Sequence, residues 1–133
     1  MRAYVLKKYG GPQAMELREV PRPEPAPGQV LVQVKAAGLN PVDYKIRQGQ
    51  TRVLFSYPLP MVAGNELSGV VAGRGAGVTR FSEGERVYAR VDKHMLGAYA
   101  EYACVPESLL ARMPQSLDFV TAASVPLAGL TAL

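Results

Sequence analysis

Glycine and proline are the residues that most restrict how this chain can fold. Thirteen glycines and eleven prolines divide the 133 residues into short segments, and both residue types end helices and strands or occupy turns. Between them lie short apolar runs, most clearly QVLVQVKAA at 29–37, in which Val30, Val32 and Val34 share one face. The pattern predicts a mainly β fold with short helices rather than a helix bundle.

Strands and helices can be predicted from the positions of these glycines and prolines. The turns, among them a glycine-bounded polar turn at Gly64-Asn65-Glu66, separate expected strands at 1–6, 15–20, 29–37, 69–72, 86–91, 98–105 and 109–113. Their repeated spacing predicts a partly open barrel. Asn40 and Pro41 are a typical cap and first residue for a short helix over 42–48 that ends at Gly49. Asp118 is expected to cap a second helix that runs through Ser124.

The domain organisation follows from length and from the C-terminal segment. A chain of 133 residues is enough for one domain, which we assign to residues 1–121. Residues 122–133 are expected to begin a linking segment, because Ala128–Leu133 resembles the start of an apolar helix. We therefore expect the sequence to be a fragment of a longer polypeptide.

Composition excludes several classes of function. The net charge of +4 comes from scattered lysines and arginines, so nucleic-acid binding is not expected. No apolar run approaches the roughly 20 residues of a membrane helix, and the N-terminus MRAYVLKKYG has no apolar leader. Cys104 is the single cysteine, so no internal disulfide can form. These features lead us to expect a cytoplasmic protein with no membrane or nucleic-acid partner.

Four segments together resemble the medium-chain dehydrogenase/reductase family. They read PRPEPAPGQVLVQVKAAGLNPVDYKIRQG (21–49), GNELSGVVAGRGAGVTRFSEGERVYARV (64–91), GAYAEYACVP (97–106) and AASVPLAGLTAL (122–133). Their order and spacing are those of the family's N-terminal catalytic domain, a GroES-like partly open β-barrel. In the family, the last segment leads into a Rossmann NAD(P)-binding domain. The pieces at 40–49 and 97–119 are most similar to the quinone oxidoreductase and alkenal/enone reductase branch.

The resemblance also indicates that no metal is bound. In the zinc-dependent branch a cysteine occupies the position of Asn40 and a histidine that of Asn65, whereas neutral amides are poor zinc ligands. The region matching the structural zinc site, residues 90–97, holds no cysteine. The remaining possible metal ligands are expected to have structural roles only, His94 as a loop histidine and Cys104 as a small residue within a strand.

A glycine-rich stretch at Gly73–Gly77 could be mistaken for a dinucleotide-binding loop. The G-x-G-x-x-G pattern requires glycine where Val78 stands, and it requires a helix to follow. The sequence VTRFSEGERV that follows predicts a turn and a strand instead. We expect the glycines to provide positive φ angles in a tight turn.

The resemblance implies roles for four residues near the cofactor. Lys45 is the expected electrostatic partner of the substrate carbonyl, and Tyr44 or water is the expected proton donor. Asn40 is expected to contact the nicotinamide ribose, and Thr131 the nicotinamide end. Lys45 could instead be a solvated helix lysine and Tyr44 a packing residue. Asn40 could be only a helix cap, although capping and cofactor contact are compatible.

The remaining candidates concern the substrate. Asn65, Phe55 and Tyr57 are expected to line the substrate pocket, although the two aromatic residues could equally anchor a loop. Glu66, beside Asn65, could be a buried carboxylate paired with an arginine.

These features predict a fragment of an NAD(P)H-dependent oxidoreductase that transfers hydride to a quinone or an α,β-unsaturated carbonyl without zinc. The cofactor, NADPH or NADH, would be bound mainly by the missing domain, so the fragment alone should be inactive. The full-length protein is expected to be a homo-oligomer with a small-molecule substrate. Two alternatives stay open: a zinc-dependent alcohol dehydrogenase with unusual ligands, and a stand-alone GroES-like binding module.

Overall fold

Eight antiparallel strands and three short α-helices make up the computed structural model, which describes residues 1–133. The strands are β1 Arg2–Leu6, β2 Met15–Glu19, β3 Gln29–Gly38, β4 Met61–Val62, β5 Glu66–Arg74, β6 Arg86–Arg90, β7 Tyr102–Pro106 and β8 Leu110–Arg112. The helices are α1 Pro41–Arg47, α2 Phe119–Ala123 and α3 Pro126–Ala132, and two 3₁₀ turns cover Pro12–Ala14 and Glu107–Leu109. None of the helices has the length and apolar character that a bilayer crossing requires.

The strands form two sheets. One has three strands in the order β2-β1-β4, and the other has five in the order β7-β3-β5-β6-β8. An isolated bridge between Ala3 and Ala100 connects them, and no continuous ladder closes the barrel. The mainly β, partly open architecture predicted from the sequence is thereby confirmed.

Strand β5 differs most from its prediction. It runs over Glu66–Arg74 instead of residues 69–72, and Glu66 belongs to the ladder because it pairs with Gly38 of β3 and Arg90 of β6. The interpretation of residues 64–66 as a polar turn was therefore wrong at Glu66. Glu66 is buried in the sheet despite its charge, and it therefore belongs to the strand and not to a turn.

The expected strand at 98–105 divides into two parts because the chain changes partners. Around Tyr99 and Ala100 the backbone bonds to β1, with Tyr4 N donating to Tyr99 O at 2.8 Å. From Tyr102 onward it pairs with β3. A single strand cannot belong to both sheets without a bend, and the alternation of side chains does not reveal one.

Both predicted helix starts are confirmed. Asn40 is the N-cap of α1, and Asp43 Oδ2 accepts the Asn40 backbone N–H at 2.7 Å. The chain leaves this helix at Gly49, whose φ is +80°. Asp118 Oδ1 accepts the Thr121 N–H at 2.7 Å at the start of α2. That bond holds the pKa of Asp118 below its usual range.

The main core lies between the faces of the five-stranded sheet and the loops that cover it. Its thirteen buried members are Val30, Val32, Leu67, Val71, Val78, Phe81, Val87, Ala89, Val91, Ala98, Ala103, Val105 and Leu110. Cys104 lies on β7 as expected, half-buried, and burial raises the pKa of its thiol. A thiol that stays protonated is a poor nucleophile.

The glycine-rich stretch forms the predicted turn, but of its three glycines only Gly77 has the expected positive φ. Strand β5 continues to Arg74, and Gly77 has a φ of +81°. Gly75 has a different requirement, because a Cβ there would lie 1.9 Å from the carbonyl oxygen of Ala26. Strand β6 follows without an intervening helix, so this stretch has no helix N-terminus to receive a pyrophosphate.

Candidate functional site

Two amides and two carboxylates meet where α1 and β5 begin. Asn40 and Asp43 come from the first turn of α1, and Asn65 and Glu66 come from the start of β5. The two elements are adjacent because the end of β3, which leads into α1, pairs with the start of β5 through Gly38 and Glu66. We refer to these four residues as the polar network.

Glu66 is the buried centre of the polar network, with 1% of its surface exposed. Its Oε1 accepts a hydrogen bond from Asn40 Nδ2 at 2.6 Å, and its Oε2 accepts one from the backbone N–H of Leu127 at 2.7 Å. Gly38 leaves the necessary room, since a Cβ there would lie 2.2 Å from Glu66 Oε1.

The suggested arginine partner of Glu66 is not found. Arg90 lies directly across from Glu66 in the β5–β6 ladder, but the two side chains form no ion pair. The suggested burial of Glu66 is confirmed, but its two oxygens accept hydrogen bonds from N–H donors instead of pairing with an arginine. The Nε of Arg90 is buried and has no hydrogen-bond acceptor.

Asn65 is the second buried amide, also 1% exposed. Its Nδ2 donates to Asp43 Oδ1 at 2.7 Å. Asp43 Oδ2 accepts the backbone N–H of Asn40. One carboxylate therefore joins positions 40 and 65, which the resemblance to the zinc-dependent branch singled out.

Tyr99 borders the polar network and escaped the sequence-based reasoning. Its hydroxyl donates to Gly38 O at 3.1 Å. Burial, reinforced by the neighbouring charge of Asp43, raises its pKa far above the usual value, so the phenol stays protonated. Gly64, whose φ is +103°, packs on the Tyr99 backbone and ring. The signal in the sequence was this glycine, which both the positive φ and the close approach of Tyr99 require.

A cavity of about 340 Å³ opens beside the polar network. Asn40, Asp43, Tyr44 and Tyr99 provide its polar wall. The volume is within the range of small-molecule sites. The structure thus brings together two of the predicted site residues, Asn40 and Tyr44, the latter 45% exposed.

A larger cleft of about 900 Å³ lies between the end of β6 and helix α3. Arg90, Lys93 and His94 line it on one side, and Leu130 of α3 and the N-cap residue Val125 line it on the other. His94 lies in a loop, as predicted.

Phe55 and Tyr57 lie in the loop that follows α1 and line neither cavity. The Tyr57 hydroxyl donates to Lys93 O at 2.7 Å, and burial raises its pKa. The Phe55 ring meets His94 edge-on with 5.4 Å between ring centroids. Both aromatic residues therefore connect this loop to residues 93–94, which border the larger cleft.

Lys45 and Thr131 lie at the surface. The Lys45 side chain is exposed on α1 and lines neither cavity. The Thr131 hydroxyl donates to Leu127 O at 2.7 Å within α3. Since Glu66 binds the N–H of Leu127, Thr131 lies one helical turn beyond the point at which α3 is held.

The donor set does not fit a zinc ion. The structure contains no group of three or more His, Cys, Asp or Glu side chains close enough to hold a metal. The amide nitrogens of Asn40 and Asn65 both act as hydrogen-bond donors to carboxylates. Those carboxylate oxygens are already occupied by N–H groups.

Comparison with known proteins agrees with this geometry. The family model of the alcohol dehydrogenase GroES-like domain matches residues 26–115. An NADPH-dependent alkenal/one oxidoreductase of Arabidopsis thaliana is 44% identical over 139 residues, which cover 99% of this chain and 36% of the relative. A quinone oxidoreductase of Pseudomonas aeruginosa is 41% identical over 124 residues, 92% of this chain and 36% of the relative.

A solved structure shows the same fold. The Escherichia coli quinone oxidoreductase complexed with NADPH superimposes with a TM-score of 0.89 at 31% identity, covering 98% of this chain and 39% of that one. The chain thus spans little more than a third of the length of these relatives.

The expected cytoplasmic location is wrong. The Arabidopsis relative and three further relatives carry a chloroplast location in their names. Composition and a single cysteine report on the chemistry of a compartment and do not identify it.

Proposed function

We propose, from the premise that this chain belongs to the alcohol dehydrogenase GroES-like domain family of medium-chain dehydrogenases/reductases, that it is the substrate-binding domain of a zinc-free reductase. The proposed substrates are quinones and α,β-unsaturated carbonyls, and the proposed reductant is NADPH. Residues 1–121 would form this domain, and residues 122–133 would lead into a Rossmann domain.

One observation carries the proposal most directly. The two positions that hold zinc ligands in the metal-dependent branch are amides here, and each donates its hydrogen bond to a carboxylate. Relatives named for quinone and for NADPH-dependent alkenal/one reduction support the same interpretation.

The chemistry of a conjugated acceptor explains why no metal would be required. Hydride addition to the β-carbon of an enone moves negative charge onto its oxygen, and a quinone behaves likewise. Conjugation spreads this charge, and a nearby cation or N–H donor stabilises it further. A saturated alcohol has no such electron sink, so its oxidation more often uses zinc as a Lewis acid.

The nicotinamide cofactor would supply the hydride, and this domain would contact only its reactive end. The Asn40 amide donates its N–H to Glu66. Its carbonyl oxygen belongs to the capping box at the start of α1 and would accept a hydroxyl group through its second lone pair. The exposed Thr131 hydroxyl donates within α3 and keeps its lone pairs available. The choice of NADPH over NADH follows the named relatives.

Replacing Asn40 with alanine should weaken NADPH binding by the full-length protein roughly tenfold, since one hydrogen bond to the ribose is lost and Glu66 loses a partner. Fluorescence titration of the bound nucleotide measures the effect. Gln115→Ala, at an exposed amide that is not part of the polar network, is the matched control. Unchanged affinity in Asn40→Ala would leave Asn40 as a helix cap alone.

Replacing Lys45 with methionine should lower turnover more than roughly tenfold while NADPH affinity changes little, because the ammonium would act on the developing oxyanion. The free Lys45 side chain on α1 is compatible with this role if substrate and the second domain close over it. Steady-state assays at saturating cofactor test it, with the exposed Lys8→Met as control. Wild-type turnover would make Lys45 a solvated helix residue.

Tyr44 borders the smaller cavity and is the proposed proton donor, with water as the other source. Asn65, Phe55 and Tyr57 are retained as proposed substrate-pocket residues. Asn65 would act indirectly, through its hydrogen bond to Asp43. Homo-oligomerisation of the full-length protein stays a prediction.

A panel of quinones, enones and alcohols with both nicotinamides, combined with metal analysis of the full-length protein, tests the proposal as a whole. Quinone or enone reduction that persists after chelation is the expected result. Stoichiometric zinc lost together with alcohol oxidation would favour the zinc-dependent alternative. Absence of any nicotinamide binding would favour a stand-alone binding module.

A further inference from the structure

We propose that Glu66 is a positioning residue that fixes the orientation of the Asn40 amide and ties that amide to helix α3. The proposal rests on the proposed function, because it gives Asn40 and Thr131 their place beside the cofactor. It adds a residue, Glu66, for which the sequence suggested only an ion pair with arginine.

The first step is the burial of a carboxylate that has no cationic partner. Glu66 is 1% exposed and forms no ion pair, and a buried charge is retained only when its oxygens are hydrogen-bonded. A carboxylate can only accept hydrogen bonds. Both groups that face it must therefore donate, and the NH₂ side of the Asn40 amide must point to Glu66. The amide carbonyl is then forced to face the other way.

The second step is the fixing of Asn40 at its backbone. Asp43 Oδ2 accepts the Asn40 N–H at 2.7 Å, and Asp43 Oδ1 accepts Asn65 Nδ2 at 2.7 Å. Asn40 is thus held through its main chain by one carboxylate and through its side chain by the other. Neither rotation of the side chain nor fraying of the first helical turn can occur without breaking a partly buried, charge-assisted bond.

The third step is the connection to α3. The second oxygen of Glu66 accepts the N–H of Leu127 at 2.7 Å, and the Thr131 hydroxyl donates to the carbonyl of the same Leu127. Residues four apart lie on one face of a helix. The Glu66 carboxylate therefore fixes the positions of both proposed cofactor contacts, Asn40 directly and Thr131 through Leu127.

The fourth step explains why an amide cannot replace this carboxylate. A glutamine at position 66 has one acceptor oxygen and one NH₂ group, so it can satisfy only one of the two donors. If its oxygen binds Leu127 N–H, its NH₂ faces the NH₂ of Asn40. Asn40 would relieve the conflict by turning over, and it would then present a donor where the cofactor hydroxyl needs an acceptor.

A reciprocal exchange of donor and acceptor tests this reasoning in the full-length protein. Glu66→Gln should weaken NADPH binding roughly tenfold, with a smaller effect on turnover at saturation. Asn40→Asp should weaken it at least as much, because two carboxylates then face each other across a 2.6 Å contact. The double variant Asn40→Asp/Glu66→Gln reverses the contact, because the NH₂ of the glutamine at position 66 can donate to the aspartate at position 40 while its oxygen accepts the Leu127 N–H. It should therefore bind NADPH within roughly threefold of wild type.

Side-chain amide NMR gives a readout that does not depend on the cofactor. The Asn40 NH₂ signals should be protected from exchange in the wild type and should lose that protection in Glu66→Gln, whereas the exposed Glu83→Gln should leave them unchanged. Wild-type affinity and protection in Glu66→Gln would overturn the proposal. So would a double variant that binds no better than the weaker single one.

The two proposals fail in different ways. A wild-type protein that reduces neither quinones nor enones contradicts the proposed function, yet the protection of the Asn40 amide would still report whether Glu66 orients it. If Glu66→Gln does not fold, the double variant decides the matter, since its exchange leaves every donor with an acceptor.

Discussion

Replacing Gly64 with alanine should destabilise the chain by about 4 kcal/mol. Gly64 has a φ of +103°, and a Cβ there would lie 2.6 Å from the Tyr99 backbone nitrogen and 2.5 Å from its ring. Unfavourable backbone geometry costs about 1–3 kcal/mol and forced overpacking about as much again. Urea unfolding of the chain, followed by circular dichroism, measures the loss.

A second glycine separates the two contributions. Gly77 has a φ of +81°, but no atom lies within 4 Å of the position that a Cβ would occupy there. Gly77→Ala should therefore show only the backbone cost, about 1–2 kcal/mol. Equal losses for the two variants would mean that Tyr99 does not press against Gly64.

Replacing Gly38 with alanine should destabilise the chain by about 3 kcal/mol. Its Cβ would lie 2.2 Å from Glu66 Oε1 and 2.8 Å from the carbonyl oxygen of Ala123. Glu66 cannot retreat without losing Asn40 or Leu127, and a lost buried hydrogen bond to a charged group costs about 1.5–3 kcal/mol in addition to crowding. Urea unfolding again provides the measurement.

Gly73 is the matched control for Gly38. It lies in β5 with an ordinary backbone angle, and its nearest contact would be an unstrained 3.7 Å to Leu31. Gly73→Ala should be neutral or slightly stabilising, because alanine loses less backbone entropy on folding. A Gly38→Ala variant as stable as Gly73→Ala would show that the Glu66 carboxylate has room to move.

Local patterns were sufficient to predict most of the fold. The alternation in 29–37, the Asn40-Pro41 helix start and the Asp118 cap depend on neighbours within a few residues, and the structure confirms each. The change of partner near Tyr99 and the length of β5 depend on contacts between distant segments. No local pattern encodes such contacts.

The site was less predictable for the same reason. Polarity marked Asn65 and Glu66 as a turn, but both are buried because Asp43, Asn40 and Leu127 supply partners from elsewhere in the chain. Family resemblance identified Asn40 without indicating that its amide is held by Glu66. Lys45 is exposed, and its proposed role depends on parts of the enzyme outside this domain.

The polar network also limits how a metal-binding relative could arise from a sequence of this kind. A thiolate introduced at position 40 would face the Glu66 carboxylate, which now lies 2.6 Å from an amide donor. An imidazole at position 65 would meet Asp43 in place of the present amide. An imidazole N–H can still donate to Asp43, whereas a thiolate offers no donor to Glu66. Substitution at position 65 alone should therefore be tolerated better than substitution at position 40.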